Sequence, residues 1–125
     1  MDQKEAKAPK KILLVEDEGD MCLLLNLLLD GSGMEVDHVQ TLSGARSFLE
    51  KEQPSLILLD NRLPDGLGIN FLSYLKLNYP QIKIVMISGV DAAAEDAALE
   101  IGADRFLCKP FTKAQLHDSI RDLLN

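Results

Sequence analysis

Several features that mark common classes of protein are scarce in this chain. It has no tryptophan, and its phenylalanine and tyrosine make up only 5% of 125 residues. Lysine and arginine number 13 against 20 acidic residues, and the net charge of −7 argues against nucleic acid as a direct ligand. No apolar run is long enough to span a bilayer and no signal peptide is visible, so we expect a cytoplasmic protein without membrane contact.

Cysteine is scarce too. Cys22 and Cys108 form neither a CxxC motif nor a metal-binding spacing, so we expect two buried, reduced thiols without a catalytic role.

The apolar fraction of 46% and the chain length suit one domain with a hydrophobic core. We expect that domain over residues 10–125, preceded by a flexible, lysine-rich arm at residues 1–9.

Short apolar runs alternate along the chain with amphipathic segments. The central run, residues 55–60 (SLILLD), is apolar on both faces until Asp60, as in a central parallel strand covered by helices on both sides. The alternation indicates an α/β fold with a doubly wound, five-stranded parallel sheet, five helices and right-handed crossovers. We predict strands over residues 11–15, 35–39, 55–60, 81–87 and 104–108, and helices over 20–30, 42–51, 67–77, 91–101 and 113–124.

Two of the predicted helices should pack differently. Leu23 and Leu27 widen the apolar stripe of the first helix, so we expect that helix to be heavily buried. The fourth helix is rich in alanine, so we expect light packing and a position that shifts easily.

Chemically useful side chains follow the strands. Glu16 and Asp17 follow the first strand, Asp60 ends the third, Ser88 follows the fourth and Lys109 follows the fifth. The carboxyl ends of parallel strands share one edge, so these groups should converge. Clustered carboxylates favour a cation, and oxygen ligands suit Mg²⁺. The set suits phosphoryl transfer to Asp60, with Lys109 and the metal offsetting charge on the phosphoryl oxygens and Ser88 donating a hydrogen bond.

Four ordered motifs carry a family resemblance. They are Val-Glu-Asp at 15–17, Leu-Leu-Asp-Asn-Arg-Leu-Pro-Asp-Gly at 58–66, Ile-Ser-Gly at 87–89 and Leu-Cys-Lys-Pro-Phe at 107–111. Over residues 10–124 the chain resembles the receiver domain of two-component response regulators. That resemblance implies a flavodoxin-like sheet with strand order 2-1-3-4-5.

The resemblance also implies a role for each site residue. Asp60 would be the phosphoacceptor, assisted by Lys109 and Ser88, and Ser88 and Phe106 would form the switch. The Mg²⁺ ligands would be Glu16, Asp17, Asp60 and the backbone carbonyl of Arg62, and the peptide bond before Pro110 would be cis. Glu16 stands where aspartate is commoner, Ser88 where threonine is commoner, and Phe106 lacks the hydroxyl of the usual tyrosine.

The implied function is a signalling switch. A sensor histidine kinase, a phosphotransfer protein or a small acyl phosphate would supply the phosphoryl group. The chain would catalyse only its own phosphorylation and dephosphorylation, and would act on a downstream output domain or target protein. The face formed by the fourth helix, the fifth strand and the last helix would then change, and we expect it to contact the partner through Ala94, Ala98, Phe106 and parts of residues 113–116.

Two alternative functions stay open. One is a partner-binding pseudo-receiver that is never phosphorylated. The other is a small phosphatase of the haloacid dehalogenase type, which uses aspartate, serine or threonine and lysine in the same order. That class needs a second aspartate two residues after the nucleophile, where this chain has Arg62.

The remaining polar residues have simpler interpretations. We expect Asp20 and Asp65 to act in capping or turns, and His38 and His117 to be surface or structural residues. No output domain follows Asn125, so we expect either a free-standing receiver or the N-terminal domain of a longer protein.

Overall fold

The structure, a computed structural model, describes residues 10–89 and 92–124. The predicted arm and the predicted first residue of the fourth helix therefore lie outside the described residues. Five parallel strands form one sheet: β1 (Lys10–Val15), β2 (Met34–Val39), β3 (Leu56–Asp60), β6 (Lys83–Ser88) and β7 (Arg105–Cys108). Two short strands, β4 (Arg62–Leu63) and β5 (Gly66–Leu67), form an antiparallel hairpin after β3, and the helices are α1 (Asp20–Leu28), α2 (Leu42–Leu49), α3 (Gly68–Asn78), α4 (Ala92–Ile101) and α5 (Lys113–Leu124).

The order of the large sheet is β2-β1-β3-β6-β7. Without the small hairpin this is the predicted order 2-1-3-4-5, so the predicted fold is confirmed. All five residues of β3 are buried, because β3 pairs with β1 on one side and with β6 on the other. The register places Asp60 opposite Ile87, which brings the end of β3 level with the end of β6.

Two apolar clusters lie on the two faces of the sheet. Since strand side chains alternate between faces, Ile57 and Leu59 pack with residues of α2, α3 and α4, whereas Leu56 and Leu58 pack with residues of α1 and α5. The helices thus cover both faces.

At the amino edge of the sheet, the ammonium group of Lys10 donates a hydrogen bond to the carbonyl oxygen of Leu124.

The prediction that α1 is heavily buried is wrong. The side chains of Leu23 and Leu27 are 67% and 78% exposed, while Met21 and Leu25 face the sheet. A helix lying on a sheet buries one stripe, and the extra leucines point to the outer side. α1 also ends at Leu28, before the predicted residue 30, and the chain then turns through Gly31 and Gly33, which both have positive φ.

Part of the predicted partner-binding face is wrong as well. The side chain of Ala98 is fully buried, so it cannot contact a partner. α4 packs on the sheet through Ala98. Within residues 113–116, Leu116 is also fully buried and belongs to the cluster on the opposite face, so the part of this segment that a partner can reach excludes it. Ala94 and Phe106 are partly buried and Lys113 is exposed, so the accessible part of this face is smaller than predicted.

The two thiols are also more accessible than predicted. Cys22 is partly buried and Cys108 is exposed, which contradicts the expectation of two buried thiols. Cys108 is the last residue of β7, an edge strand, where less structure covers the side chain.

Within the described residues, no helix combines the length and apolar character needed to cross a membrane.

Candidate functional site

A cleft of about 360 Å³ opens at the carboxyl edge of the sheet. It collects residues from the ends of β1, β3, β6 and β7, as the parallel topology requires. Two of its residues were missed by the sequence reasoning, namely Glu18 and Gly89, although Glu18 continues the acidic run of Glu16 and Asp17. The lining residues are Asp17, Glu18, Asp60, Arg62, Ser88, Gly89 and Lys109.

Asp60 is the buried carboxylate of this cleft, with 6% of its surface exposed. Its Oδ2 atom lies 3.2 Å from Nζ of Lys109, which makes a charge-assisted hydrogen bond. Among the described residues, its Oδ1 atom has one long contact, of 3.5 Å, with the backbone N–H of Arg62. One carboxylate oxygen is therefore engaged by the lysine and the other is held weakly.

Lys109 is positioned by the backbone that follows β7. Its N–H donates a hydrogen bond of 2.7 Å to the carbonyl oxygen of Ser88, which joins the ends of β6 and β7. The peptide bond between Lys109 and Pro110 is cis, the geometry that the family resemblance implied. The lysine side chain reaches Asp60 across the end of the sheet.

Glu16 is the most unusual carboxyl group at this edge. Its side chain is only 3% exposed, and its Oε1 atom is buried without a hydrogen-bond partner among the described residues. Burial raises the pKa of Glu16 from 4.5 to about 7, Lys109 opposes that rise and the charge of Asp60 adds to it. Glu16 does not line the cleft itself but lines a neighbouring cavity of about 550 Å³, which Lys109 shares.

The backbone of Glu16 is fixed by β2. The Glu16 N–H donates to the carbonyl oxygen of Val39 at 3.0 Å, and Nε2 of His38 donates to the carbonyl oxygen of Glu16 at 2.6 Å. His38 is therefore a structural residue with a specific partner at the site. No pattern around His38 in the sequence could have indicated this contact, because its partner is a backbone atom.

The acidic groups can be tested for their fit to Mg²⁺. No three histidine, cysteine, aspartate or glutamate side chains of the described residues are grouped so that they could hold a metal ion. Mg²⁺ usually binds one or two carboxylates and keeps several waters, so it does not need such a group. Asp17 and Asp60 both line the cleft, Asp17 is exposed and one oxygen of Asp60 is weakly held, so these two carboxylates fit a hydrated Mg²⁺ ion. The unpartnered oxygen of Glu16 lies in the neighbouring cavity.

The segment that follows Asp60 is tightly constrained. The Gly68 N–H donates to the carbonyl oxygen of Asn61 at 2.7 Å, and the Ile69 N–H donates to Oδ1 of Asn61 at 3.0 Å. A Cβ atom on Gly68 would lie 2.4 Å from the carbonyl oxygen of Asp60, so only glycine fits there without a backbone shift. This close approach sets the start of α3 directly against the end of β3.

Asp65 lies in the turn between β4 and β5 and caps α2. Its Oδ1 and Oδ2 atoms accept hydrogen bonds from the N–H groups of Leu42 (2.9 Å) and Ser43 (3.0 Å). These donors lower the pKa of the Asp65 carboxyl group. Oγ1 of Thr41 accepts a further hydrogen bond from the Gly44 N–H at 2.9 Å. The predicted capping role of Asp65 is confirmed, although its target helix lies more than twenty residues earlier in the chain.

The two predicted switch residues occupy different environments. Ser88 is buried at the end of β6 and lines the cleft. Phe106 is partly buried, packs against the cluster that includes α4, and does not line the cleft. The register pairs Met86 with Phe106 and Ser88 with Cys108, so Phe106 lies two residues back from the strand end.

Comparisons with known proteins agree on one family. Residues 12–121 match the model of the response regulator receiver domain. The chain is 38% identical over 117 residues to the transcriptional regulatory protein BasR of Escherichia coli, covering 91% of this chain and 52% of that protein. It is 35% identical over 111 residues to the KDP operon transcriptional regulatory protein KdpE of the same organism, covering 88% and 49%.

The chain thus spans about half the length of these curated relatives. Among solved structures, a CheY-like response regulator receiver domain protein from Methanospirillum hungatei has the same fold. Its TM-score is 0.83 at 28% sequence identity, and the match covers 90% of this chain and 91% of that one.

Proposed function

This chain belongs to the receiver domains of two-component response regulators, and we propose that it accepts a phosphoryl group on Asp60. Proteins of this family are signalling proteins rather than classical enzymes, and phosphorylation is their general switch. The observation that carries the proposal is the buried Asp60 carboxylate, paired with Lys109 at 3.2 Å inside an acidic cleft.

The proposed reaction is a direct phosphoryl transfer. An oxygen of Asp60 forms a bond to phosphorus, while the bond from phosphorus to a histidine nitrogen or an acyl oxygen of the donor breaks. Oδ1 suits this role, because Lys109 engages Oδ2. Lys109 and the Ser88 hydroxyl offset negative charge on the transferred oxygens.

The proposed metal ligands are Glu16, Asp17, Asp60 and the backbone carbonyl of Arg62. A bound Mg²⁺ would supply positive charge next to the phosphoryl oxygens. The support from this chain is the chemistry of Glu16, whose buried oxygen has no partner among the described residues. The proposed donor is a sensor histidine kinase, a phosphotransfer protein or a small acyl phosphate.

The proposed switch begins with charge. A phosphoryl group on Asp60 adds nearly two negative charges and draws Lys109 and Ser88 toward it. Movement of Ser88 leaves room for Phe106 to pack further inward, which alters the face that α4, β7 and α5 share. We propose that the accessible residues of this face, including Ala94, Phe106 and Lys113, contact an output domain or target protein.

The test is the intact mass of the protein after incubation with Mg²⁺ and acetyl phosphate. We expect the parent to gain one phosphoryl group and the Asp60→Asn variant to gain none. A parent that binds Mg²⁺ but gains no mass would indicate the partner-binding pseudo-receiver. Continuous hydrolysis of several phosphate esters, without a stable phosphorylated form, would instead indicate the small phosphatase.

A further inference from the structure

We propose that Asp65 is a positioning residue for phosphoryl transfer, because it anchors the segment after Asp60 to the start of α2. This inference rests on the proposed function. Asp65 does not line the cleft, whereas Asp60 and Arg62 do. Its effect would therefore pass through the backbone of residues 61–67, which we call the acceptor loop.

The acceptor loop leaves the sheet directly after Asp60 and forms the β4–β5 hairpin. Arg62 pairs with Leu67 and Leu63 pairs with Gly66, so Asp65 lies in the connecting turn. At the base of the hairpin, the Asn61 carbonyl accepts a hydrogen bond from the Gly68 N–H. A two-stranded ribbon this short is unstable alone, so its outer end needs contacts elsewhere in the fold.

Asp65 supplies such contacts at the outer end. Both of its carboxylate oxygens accept backbone hydrogen bonds, from Leu42 at 2.9 Å and from Ser43 at 3.0 Å. The helix N-terminus adds a favourable field for the negative charge. Leu63 packs against the apolar cluster that includes α2, so the hairpin is held from two sides.

Simple helix capping does not require a residue so distant in the chain. α2 already has a local cap, because Oγ1 of Thr41 accepts a hydrogen bond from the Gly44 N–H at 2.9 Å. Asp65 accepts hydrogen bonds from the N–H groups of Leu42 and Ser43, and these bonds form a contact between two separate segments. The consequence is a fixed hairpin, and therefore a fixed position for Arg62, whose N–H faces Oδ1 of Asp60 at 3.5 Å.

Thr41 provides a matched control for the experiment. Thr41→Ala removes the local cap of α2 and leaves the acceptor loop unchanged. Asp65→Ala removes the hydrogen bonds to Leu42 and Ser43, and with them the anchor of the acceptor loop. We expect both variants to lose stability and Asp65→Ala to lose more, because Thr41→Ala removes one N-cap hydrogen bond of α2 and Asp65→Ala removes two. Hydrogen exchange measured by mass spectrometry should accelerate over residues 61–67 only in Asp65→Ala.

Metal binding and phosphorylation are the functional measurements. In Asp65→Ala we expect Mg²⁺ affinity, measured by calorimetry, and the rate of phosphorylation by acetyl phosphate to fall about tenfold, as when outer residues that orient metal ligands are removed. In Thr41→Ala both should match the parent. Asp65→Asn keeps one acceptor oxygen and should lie between Asp65→Ala and the parent.

Each outcome decides the inference. Equal losses of affinity and rate in Thr41→Ala and Asp65→Ala would reduce Asp65 to an ordinary helix cap. Parental exchange over residues 61–67 in Asp65→Ala would overturn the anchor itself. If the parent is not phosphorylated, the proposed function fails separately, and the exchange and Mg²⁺ measurements still show whether Asp65 fixes the loop.

Discussion

The two loops that carry carboxylates at the carboxyl edge are built in opposite ways. In the loop after β1, residues 16–19, Glu16 keeps a buried oxygen without a partner among the described residues, and a Cβ on Gly19 would meet nothing within 4 Å. In the acceptor loop, Asn61 and Asp65 accept hydrogen bonds from neighbouring segments, and the loop ends at Gly68, where a side chain does not fit.

This contrast assigns a different task to each loop. The first loop holds a buried carboxyl oxygen that has no hydrogen-bond partner among the described residues, and a cation could satisfy it. The second loop holds a backbone geometry that several contacts fix at once. Three pairs of substitutions test the contrast, and we present them in order of expected effect on the free energy of unfolding.

The largest loss of stability should come from Gly68→Ala, with Gly19→Ala as its matched control. Gly68→Ala would place Cβ at 2.4 Å from the Asp60 carbonyl oxygen and at 3.1 Å from Cγ of Leu59. The backbone must move, so we expect a loss of about 2–3 kcal/mol, typical of overpacking. Gly19→Ala has open space and should change stability by less than about 0.5 kcal/mol. Urea unfolding of both variants measures the difference, and similar losses would contradict the contrast.

The second prediction concerns pH. The folded state raises the pKa of Glu16 from 4.5 to about 7, so it binds a proton more tightly than the unfolded chain does. The stability contributed by this group is therefore complete below about pH 4.5, declines as the pH rises to about 7, and is lost above that. Glu16→Gln should remove this dependence of stability on pH. In the presence of a metal chelator at pH 8, the variant should be more stable than the parent by about 1–2 kcal/mol.

The measurement is the urea midpoint of parent and variant between pH 4 and 8. Glu18→Gln makes the same chemical change at an exposed position and should retain the slope. Mg²⁺ should narrow or reverse the stability difference between Glu16→Gln and the parent, since a cation that the Glu16 carboxylate helps to bind stabilises the parent more than the variant. A slope equal to the parent's in Glu16→Gln would contradict the unpartnered carboxyl group that we assign to the first loop.

The smallest of the three effects concerns Asn61. Asn61→Ala removes the side-chain acceptor for the Ile69 N–H at the start of α3, and we expect a loss of about 1 kcal/mol. Asn61→Asp keeps the acceptor oxygen and should remain close to the parent. Thermal unfolding of the two variants provides the test. Equal destabilisation by alanine and aspartate would mean that this hydrogen bond does not hold the acceptor loop.

Much of the fold could be predicted because its strands are short apolar runs bounded by turn residues. The central run from Leu56 to Leu59 has no polar face, which requires helices on both sides of the sheet. Parallel topology then brings Asp17, Asp60, Ser88 and Lys109 into one cleft. Their roles in phosphoryl transfer stay predictions that the mass experiment addresses.

The errors and omissions have two physical origins. Leu23 and Ala98 were assigned from residue type, but exposure depends on the direction each helix face points in the folded chain. The contacts of Asp65 with α2 and of His38 with Glu16 were not predicted as pairs. In both pairs a side chain contacts a backbone atom of a distant segment. Every residue has the same backbone atoms, so the residue type at the partner position does not indicate such a contact.

The contact between Lys10 and Leu124 has a consequence for the connectivity of the chain. The first residue of β1 and the last residue of α5 meet at the amino edge of the sheet, away from the cleft. A short linker could therefore join residue 124 to residue 10, and the exposed turn at residues 31–33 could be opened to supply new ends. In such a circular permutant the strands would enter the sheet in a different sequence order, yet Asp60 and Lys109 would keep the same neighbours.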